Sequence, residues 1–342
     1  MKDLKYLAAY INPALTTIGL LAGGIYTFFA VIFTFVLVPS LEPFTPNSSK
    51  NLSKAEREKA LKNKVFDYLL YLNLPVLYGI LILFMYTLNH SSMTHLELLG
   101  NILSVGIVLG TCGINVGHEL GHRKAKKERL MAKILLLPAL YTHFFIEHNK
   151  GHHKHVATDR DPASARLNEN LYAFWIRSTF GGYRSAWQLE AQRLANLKLS
   201  FWSLKNEMLV FLLLQVAYLA LVASLTSLGG FMAFLGAAVV GILLLETVNY
   251  IEHYGLRRKL LPSGKYERVL PKHSWNANYQ LGRIVLYELT RHSDHHYKAS
   301  KKYQILDHYD EAPELPFGYP VSMVIAFFPP LWYKLMNGRI PL

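Results

Sequence analysis

The sequence predicts an all-α integral membrane protein that folds as a bundle of six transmembrane helices. Apolar residues make up 51% of its 342 residues, whereas charged residues make up only 17%. So few charges could not cover the surface of a soluble protein of this length. The apolar residues also occur in long uninterrupted runs, each close to the roughly 20 residues that a membrane-spanning helix needs.

Six runs have the length and apolarity of a span. They comprise residues 6–23, 25–41, 65–88, 96–116, 208–228 and 231–250. The first two could instead be one long kinked helix, but the pair Gly23-Gly24 and the combined length favour a hairpin.

The positions of Lys and Arg predict the orientation of these spans. Basic residues precede the first run, separate the second from the third, and follow the fourth and the sixth. The connections at 23–24, 89–95 and 226–230 contain no Lys or Arg. Because basic loops stay in the cytoplasm, we expect a multi-pass membrane protein with both termini in the cytoplasm.

The remaining segments, 117–207 and 251–342, are predicted to be cytoplasmic or interfacial. Within them Met131–Phe145 contains Pro138, and Tyr319–Met336 is interrupted by Pro320 and by Pro329-Pro330. Both are too short or too interrupted to span and are predicted to lie at the interface or to re-enter the bundle. Residues 42–64 form a polar linker with a short helix, and residues 1–342 form a single membrane domain.

Net charge and cysteine content limit the partners. The formal net charge of +13 indicates attraction to anionic lipid or docking of an acidic protein, and no nucleic-acid partner is expected. The single cysteine, Cys112, excludes an intrachain disulfide and an iron–sulfur cluster held by this chain alone. No Gly-rich dinucleotide motif follows a strand pattern, and neither flavin nor haem is expected.

Histidines provide the strongest chemical signal. Nine of the 15 histidines occur in four short motifs, all placed by the charge pattern at the cytoplasmic ends of the helices. These are His118 and His122; His148, His152 and His153; His253; and His292, His295 and His296. Residues three or four apart on a helix share a face, which pairs His118 with His122, His148 with His152, and His292 with both His295 and His296.

Clustered imidazoles repel one another when protonated and are unfavourable when buried without partners, so a metal is the simplest explanation. One zinc ion takes about four ligands, and nine histidines therefore suit two ions. This predicts a histidine-rich metal site on the cytoplasmic face. Four neighbouring acids, Glu119, Glu147, Glu252 and Asp294, are expected to accept hydrogen bonds from the ligand rings; direct ligation and helix capping are the alternatives.

These motifs resemble those of the membrane alkane monooxygenases, which are relatives of the membrane fatty-acid desaturases. The matching segments are His118–His122, Phe145–Arg166 with Asp161-Pro162-Ala163, Asn249–Leu256, Leu289–His296 and Leu315–Met336. The stretch Asn249–Leu256 separates alkane hydroxylases from desaturases. Lys154-His155 departs from the family pattern, and His155 is therefore not expected to be a ligand; His143 and His273 match family positions but are left out of the metal site.

The resemblance implies that the nine histidines hold two non-haem iron ions. It implies an O2-dependent enzyme that converts alkanes to primary alcohols, with electrons from rubredoxin or ferredoxin and the reductase of that carrier. It also implies that Thr34 lies near a position that limits substrate length, where its small side chain would admit longer alkanes. The basic runs Arg123–Arg129, Arg257–Lys259 and Lys298–Lys302 would suit an acidic donor.

Other classes compete with this interpretation. His118–His122 also reads as the HExxH motif of a zinc protease, with Glu119 as general base, but that chemistry leaves the other histidine motifs unexplained. A metal transporter would place its ligands near the membrane midplane rather than at one face. A desaturase or a hydroxylase acting on aromatic methyl groups or fatty-acyl chains remains as an alternative within the oxidative class.

Overall fold

Helices account for nearly all regular structure in residues 2–341, which are the residues that this computed structural model describes. Within that range β-structure is limited to isolated bridges. In chain order the main helices are α1 (Ile11–Ala22), α2 (Gly24–Phe44), α3 (Lys54–Lys62), α4 (Val65–His90), α5 (His95–Gly121), α6 (Lys126–Leu136), α7 (Phe144–Glu147), α8 (Leu171–Asn196), α9 (Glu207–Leu225), α10 (Leu228–His253), α11 (Gln280–Val285), α12 (His292–Tyr297), α13 (Tyr319–Ala326) and α14 (Pro329–Met336).

Short non-α segments complete the backbone. A π turn, His148–His152, and a short helix, His153–His155, continue α7, and a second π segment, Leu109–Asn115, lies inside α5. The 3-10 helix Lys2–Tyr10 precedes α1, and further 3-10 turns lie at Pro271–His273, Tyr303–Ile305 and Asn337–Arg339. Because π turns inside α-helices are rare and concentrate at functional sites, His148–His152 and Leu109–Asn115 direct attention to the histidines beside them. A third π segment, Phe33–Leu37, lies inside α2.

Five helices are long and apolar enough to cross a membrane: α2, α4, α5, α9 and α10. They correspond to five of the six predicted spans. Exposed side chains on them include Ile82, Leu213 and Val239, as expected for surfaces that face lipid. The chain is therefore a helical membrane protein.

The first predicted span, 6–23, has a different structure. Its residues are divided between the 3-10 helix Lys2–Tyr10 and α1, which has only 12 residues. The chain reverses direction between the two segments, since a Cβ atom on Gly19 would lie 3.0 Å from the Cα of Thr27. Gly23 and Gly24 at the turn have φ values of 65° and 55°, which favour glycine.

Helices α5 and α10 pack closely along their length and bring their C-terminal ends together. A Cβ atom on Gly106 would lie 2.5 Å from the Cβ of Val240, and one on Gly241 would lie 3.2 Å from the carbonyl oxygen of Gly106. Small residues permit this approach of two membrane helices. The approach matters for the site because His118 lies near the end of α5 and His253 ends α10.

The opposite ends of these helices are capped by side chains. Thr94 and Glu97 form a capping box at the start of α5, and the Ser227 hydroxyl accepts from the amide of Gly230 at the start of α10. The Glu97 carboxylate also accepts a hydrogen bond from the Gly24 amide, at 2.6 Å. The loops without Lys or Arg thus lie at the end of the bundle opposite the four predicted histidine motifs.

The two apolar segments that contain proline, 131–145 and 319–336, are interrupted near their prolines, as predicted. Helix α6 ends before Pro138, and the C-terminal segment divides into α13 and α14, with Pro329 beginning the second helix. Ser53 and Glu56 form a capping box on α3 in the polar linker. The hydrophobic core fills the bundle, and a second buried cluster around Trp275, Tyr319 and Trp332 packs beneath the C-terminal helices.

Candidate metal centre

Nine histidines converge in two adjacent groups that could each hold a metal ion. Within each group one nitrogen of every ring lies within 4.8 Å of the corresponding nitrogens of the others. The first group contains His118, His122, His148, His153 and His295, and the second contains His152, His253, His292 and His296. All nine residues are those selected from the sequence.

The first group combines three parts of the chain. The end of α5 supplies His118 and His122, the π turn and its continuation supply His148 and His153, and α12 supplies His295. The Nε2 atoms of His118 and His295 are 2.9 Å apart, and those of His148 and His153 are 3.0 Å apart. His122 and His153 are only partly buried, so the edge of this group approaches the protein surface.

The second group is buried entirely. The Nε2 atoms of His152 and His296 lie 3.1 Å apart, and those of His253 and His292 lie 3.2 Å apart. The two groups adjoin because His152 is next to His153 and His295 is next to His296 in the chain. Ring contacts also join them, with the centroids of His153 and His296 at 4.3 Å.

The distribution of rings between the groups differs from the prediction for two motifs. His148 pairs with His153 rather than with His152, because His148–His152 is a π turn and residues five apart share a face there. On α12, His295 and His296 point into different groups, and only His296 joins His292. The predicted pairing of His118 with His122 is confirmed.

Five of the rings favour the neutral form that metal ligands require. Burial lowers the pKa of His148, His153, His292, His295 and His296 well below the ordinary histidine value, and neighbouring imidazoles lower it further. An N–H···N hydrogen bond can join two neutral rings whose Nε2 atoms lie about 3 Å apart, but a cation can accept the lone pairs of all rings of a group at once. Two nitrogens bound at right angles, each about 2.1 Å from one ion, would lie about 3.0 Å apart. The donor set therefore fits metal ions.

The neighbouring acids make contacts that differ from those predicted. Glu119 pairs with Arg123 at 2.7 Å, and Asp294 binds Lys301 at 2.5 Å. Glu147 accepts a hydrogen bond from Ser185 at 3.4 Å. The prediction that these three carboxylates accept from ligand rings is therefore wrong; their contacts anchor the backbone segments that carry the histidines.

Glu252 is the fourth predicted acid, and it does face a grouped ring. Its Oε2 atom lies 3.2 Å from Nε2 of His292, the nitrogen that also faces His253. The other oxygen, Oε1, is buried without a hydrogen-bond partner. Glu252 therefore points into the second group, at Nε2 of His292, rather than accepting a hydrogen bond from the outer nitrogen of a ring.

Asp161 is the residue that the sequence reasoning did not select. Its carboxylate lies 2.9 Å from Nδ1 of His152, and both side chains are fully buried. Burial alone would lower the pKa of His152, but the Asp161 carboxylate raises it above the ordinary value. Such a partner fixes the ring so that Nε2 faces the group. The available signal was an acid nine residues after His152, in a stretch already matched to the family.

An apolar cavity opens beside both groups. It measures about 970 Å³, including the part open to the surroundings, and its wall includes His118, His148, His292 and Glu252. The rest of the lining is mainly apolar, with residues such as Ile107, Leu244, Val248 and Met323. The space can therefore accept an apolar molecule next to the histidines.

Thr34 lies on the wall of this cavity, as the predicted position near the substrate requires. Its hydroxyl donates a hydrogen bond to the side-chain oxygen of Asn12 at 3.0 Å. The histidines that were left out of the site lie outside both groups. His143 packs against Tyr141, and His273 lies 3.2 Å from Glu267.

The basic runs differ in how much charge they expose. Arg123 is buried between Asp67 and Glu119, and Lys301 and Lys302 are engaged by Asp294 and Asp67. Exposed cations of the three runs are Lys124, Lys126, Lys127, Arg129, Arg257, Lys259 and Lys298. These residues leave positive charge at the surface on segments that flank the histidine motifs.

Comparison with known proteins agrees with this architecture. Residues 94–324 match the family model described as fatty acid desaturase. Alkane 1-monooxygenase 1 of Alcanivorax borkumensis is 39% identical, covering 98% of this chain and 84% of its own length. An alkane 1-monooxygenase of Pseudomonas putida is 38% identical over 93% of this chain and 79% of its own.

The xylene/toluene monooxygenase hydroxylase component XylM of Pseudomonas putida is more distant, at 28% identity over 98% of this chain and 88% of its own length. The chain belongs to the fatty acid desaturase family and, within it, to the alkane 1-monooxygenases. It is therefore an oxidoreductase, and the resemblance found from its motifs is confirmed.

Proposed function

We propose that this protein hydroxylates alkanes at a terminal carbon, giving primary alcohols, with dioxygen as oxidant and two non-haem iron ions as cofactor. The observation that carries the proposal is the convergence of nine imidazoles on two points at the wall of one apolar cavity. The alkane 1-monooxygenases that align over nearly the whole chain support the same activity.

The nine grouped histidines would hold the irons, five on one ion and four on the other. Neutral imidazole suits iron, and a redox metal is needed if dioxygen is to be activated. Bound iron would supply that redox chemistry. The protein's part is to fix the rings: Asp161 orients His152, and the ion pairs of Glu119 and Asp294 hold the ends of α5 and α12 in place.

The cavity would bind the alkane and exclude water. Its apolar wall carries few polar groups apart from those at the histidines and the Thr34–Asn12 pair. A chain that enters such a space lengthwise presents its end to His118, His148 and His292, which explains a preference for the terminal carbon. A labelled alkane should give mainly primary alcohol, and mainly secondary alcohols would contradict end-first binding.

Electrons would come from rubredoxin or ferredoxin, reduced in turn by its own reductase. The exposed cations near the histidine motifs, Lys124 and Lys127 among them, would attract a small acidic donor. Changing both to glutamine should raise the KM for the donor at low ionic strength and much less at high salt, because salt screens exposed charges. A KM that stays the same at every salt concentration would place the donor elsewhere.

The six-span layout completes the proposal. We infer that residues 2–22 cross or enter the membrane with the five spanning helices, that the protein lies in the bacterial inner membrane, and that the metal centre faces the cytoplasm. Both termini would then be cytoplasmic, and residues 1–342 would act as one domain. The charge-free connections at the capped ends of α5 and α10 support this orientation.

A second candidate is hydroxylation of a methyl group on an aromatic ring. The xylene/toluene monooxygenase component, similar over 98% of this chain, supports it. A zinc protease finds less support, because Glu119 is held by Arg123 and both histidines of its motif belong to a five-histidine group.

Conversion of alkanes by whole cells tests the proposal directly. Cells that co-express this chain and a rubredoxin system should convert a medium-chain or long-chain alkane to the primary alcohol, and the purified protein should contain about two irons. His295→Ala should abolish conversion, whereas His90→Ala, a histidine outside both groups, should not. Zinc near one per chain and no alcohol would contradict the proposal, and conversion of toluene alone would favour the aromatic alternative.

A further inference from the structure

A second, polar cavity adjoins the apolar one. The two share Phe144, His148 and Asn249 in their walls, so the polar cavity lies directly behind the metal centre. Its wall also contains two buried carboxylates, Glu147 and Glu246. The space is small and has room for about one water molecule.

Glu246 is the unusual member of this cavity. It is 2% exposed, and it lies inside the membrane-spanning helix α10. Ionisable groups in such segments are energetically unfavourable and mark functional sites by default. One face of α10 carries Glu246, Asn249 and His253, which lie three or four residues apart. The Glu246 carboxylate is therefore two helical turns before His253 and forms no hydrogen bond with a grouped histidine.

Hydrogen-bond donors surround this carboxylate from three sides. The Tyr141 hydroxyl donates to Oε1 of Glu246 at 2.7 Å, and the Asn249 amide donates to Oε2 at 3.4 Å. The Ser178 hydroxyl, on α8, is a further donor. Glu246 is therefore held in one position beside the cavity, where it can exchange a proton with a water molecule.

The cavity also reaches toward the surface. His143 lines it and packs edge-on against the ring of Tyr183, with centroids at 5.1 Å, and Tyr183 is 39% exposed. His143 and Tyr183 therefore lie between the cavity and the surface, with Glu246 on the cavity wall.

The reaction needs a path for protons. Inserting one atom of dioxygen into a C–H bond forms a C–O bond and an alcohol O–H bond, and the other oxygen atom leaves as water. Forming that water consumes two electrons from the external iron–sulfur carrier and two protons from the solvent. Since the substrate space excludes water, the protons have to arrive by another route, either at the partly exposed His122 and His153 or through the polar cavity.

We propose that the polar cavity lined by Tyr141, His143 and Glu246 is the proton-entry site of this enzyme, with Glu246 passing protons to water beside the metal centre. Glu246 acts through that water, so it is a positioning and relay residue and not a ligand. The inference rests on the proposed function, because only an oxygen-reducing reaction consumes these protons.

Glu246→Gln tests the relay with little change in shape. It should lower alcohol formation by about tenfold or more, the scale of a lost proton-transfer group, while electrons are diverted to hydrogen peroxide and the KM for alkane stays the same. In infrared difference spectra between the oxidised and the reduced protein, the carbonyl band of the Glu246 carboxylic acid should be seen in the unaltered protein and be absent from Glu246→Gln. Glu207→Gln, which changes a partly exposed carboxylate paired with Lys133, should retain both activity and band.

Chemical rescue separates a relay from a purely structural role. Formate is small enough to enter the space left by Glu246→Ala and should restore alcohol formation, because it supplies the missing acid. Tyr141→Phe removes one hydrogen-bond donor to Glu246 and should divert a smaller share of the electrons to hydrogen peroxide. The proposal would be overturned if Glu246→Gln formed alcohol and hydrogen peroxide in the same ratio as the unaltered protein. It would also be overturned if the variant lost iron in proportion to activity and formate did not restore alcohol formation. Failure of the unaltered protein to hydroxylate any alkane would instead overturn the proposed function.

Discussion

Asp161 shows how one buried side chain prepares a histidine for metal binding. It contacts the Nδ1 atom of His152, which leaves Nε2 directed at His296. An unpaired imidazole could rotate or present its other nitrogen, whereas a carboxylate behind it fixes both tautomer and orientation. The remaining rings of the second group depend on packing for their orientation, since Nδ1 of His253, His292 and His296 has no partner.

Asp161→Asn should weaken iron binding by roughly 10–100-fold, because the partner that orients His152 loses its charge. Iron retained per chain after exposure to a chelator measures the effect. Asp159→Asn is a matched control, since Asp159 is exposed and pairs only with Arg257. Equal iron retention in the two variants would mean that Asp161 does not support the centre.

Thr34 is the residue that we expect to set substrate length. Thr34→Trp would fill part of the apolar cavity, and conversion of a long-chain alkane should fall roughly tenfold or more relative to a medium-chain alkane. Val36→Trp, on the same helix but 54% exposed, should leave the preference unchanged. Competition between the two alkanes in one culture gives the ratio directly, and an unaltered ratio in Thr34→Trp would remove Thr34 from the substrate path.

At the scale of elements, the π turn decides how the histidines are shared. An α-helix over the same residues would place His148 and His152 on one face. The π turn instead aligns His148 with His153 and releases His152 to the second group. Local spacing could not reveal this, because the choice between an α and a π turn depends on the neighbours against which the turn packs.

The close contact between α5 and α10 is the second decisive element. Gly106→Val would place its Cβ about where the Val240 side chain lies. The helices would separate, which should lower the free energy of unfolding by roughly 1–3 kcal/mol. The variant should also bind less iron. Thermal unfolding in detergent measures the first effect and metal analysis the second. Gly79→Val, where a Cβ meets nothing within 4 Å, should change neither, and equal loss in both variants would count against a special role for Gly106.

At the scale of the whole molecule, orientation in the membrane links the site to its partners. Cys112 is the one cysteine of the chain and is buried, so an introduced cysteine can be labelled selectively. In intact cells a thiol reagent that cannot cross the membrane should label Ser91→Cys, in the connection without Lys or Arg. It should not label Ser300→Cys, near α12, until the cells are opened. The opposite pattern would reverse the proposed orientation and place the metal centre outside the cytoplasm.

Local patterns in the sequence were enough to predict the class of this protein and the histidines of its candidate site. Runs of apolar residues predicted five helices that the structure confirms as long and apolar enough to span, and the histidine motifs together with the family resemblance selected all nine grouped histidines. Both signals are local, because a span must be apolar along its own length and each motif is short.

Tertiary structure decided what local patterns cannot encode. It divided the histidines into groups of five and four, paired Glu119 and Asp294 with basic residues, and brought Asp161 behind His152. It also placed the polar cavity around Glu246 next to the apolar one. Each of these features joins side chains from separate helices, so it depends on how the helices pack, and here the close contact of α5 with α10 and the π turn after α7 determine that packing.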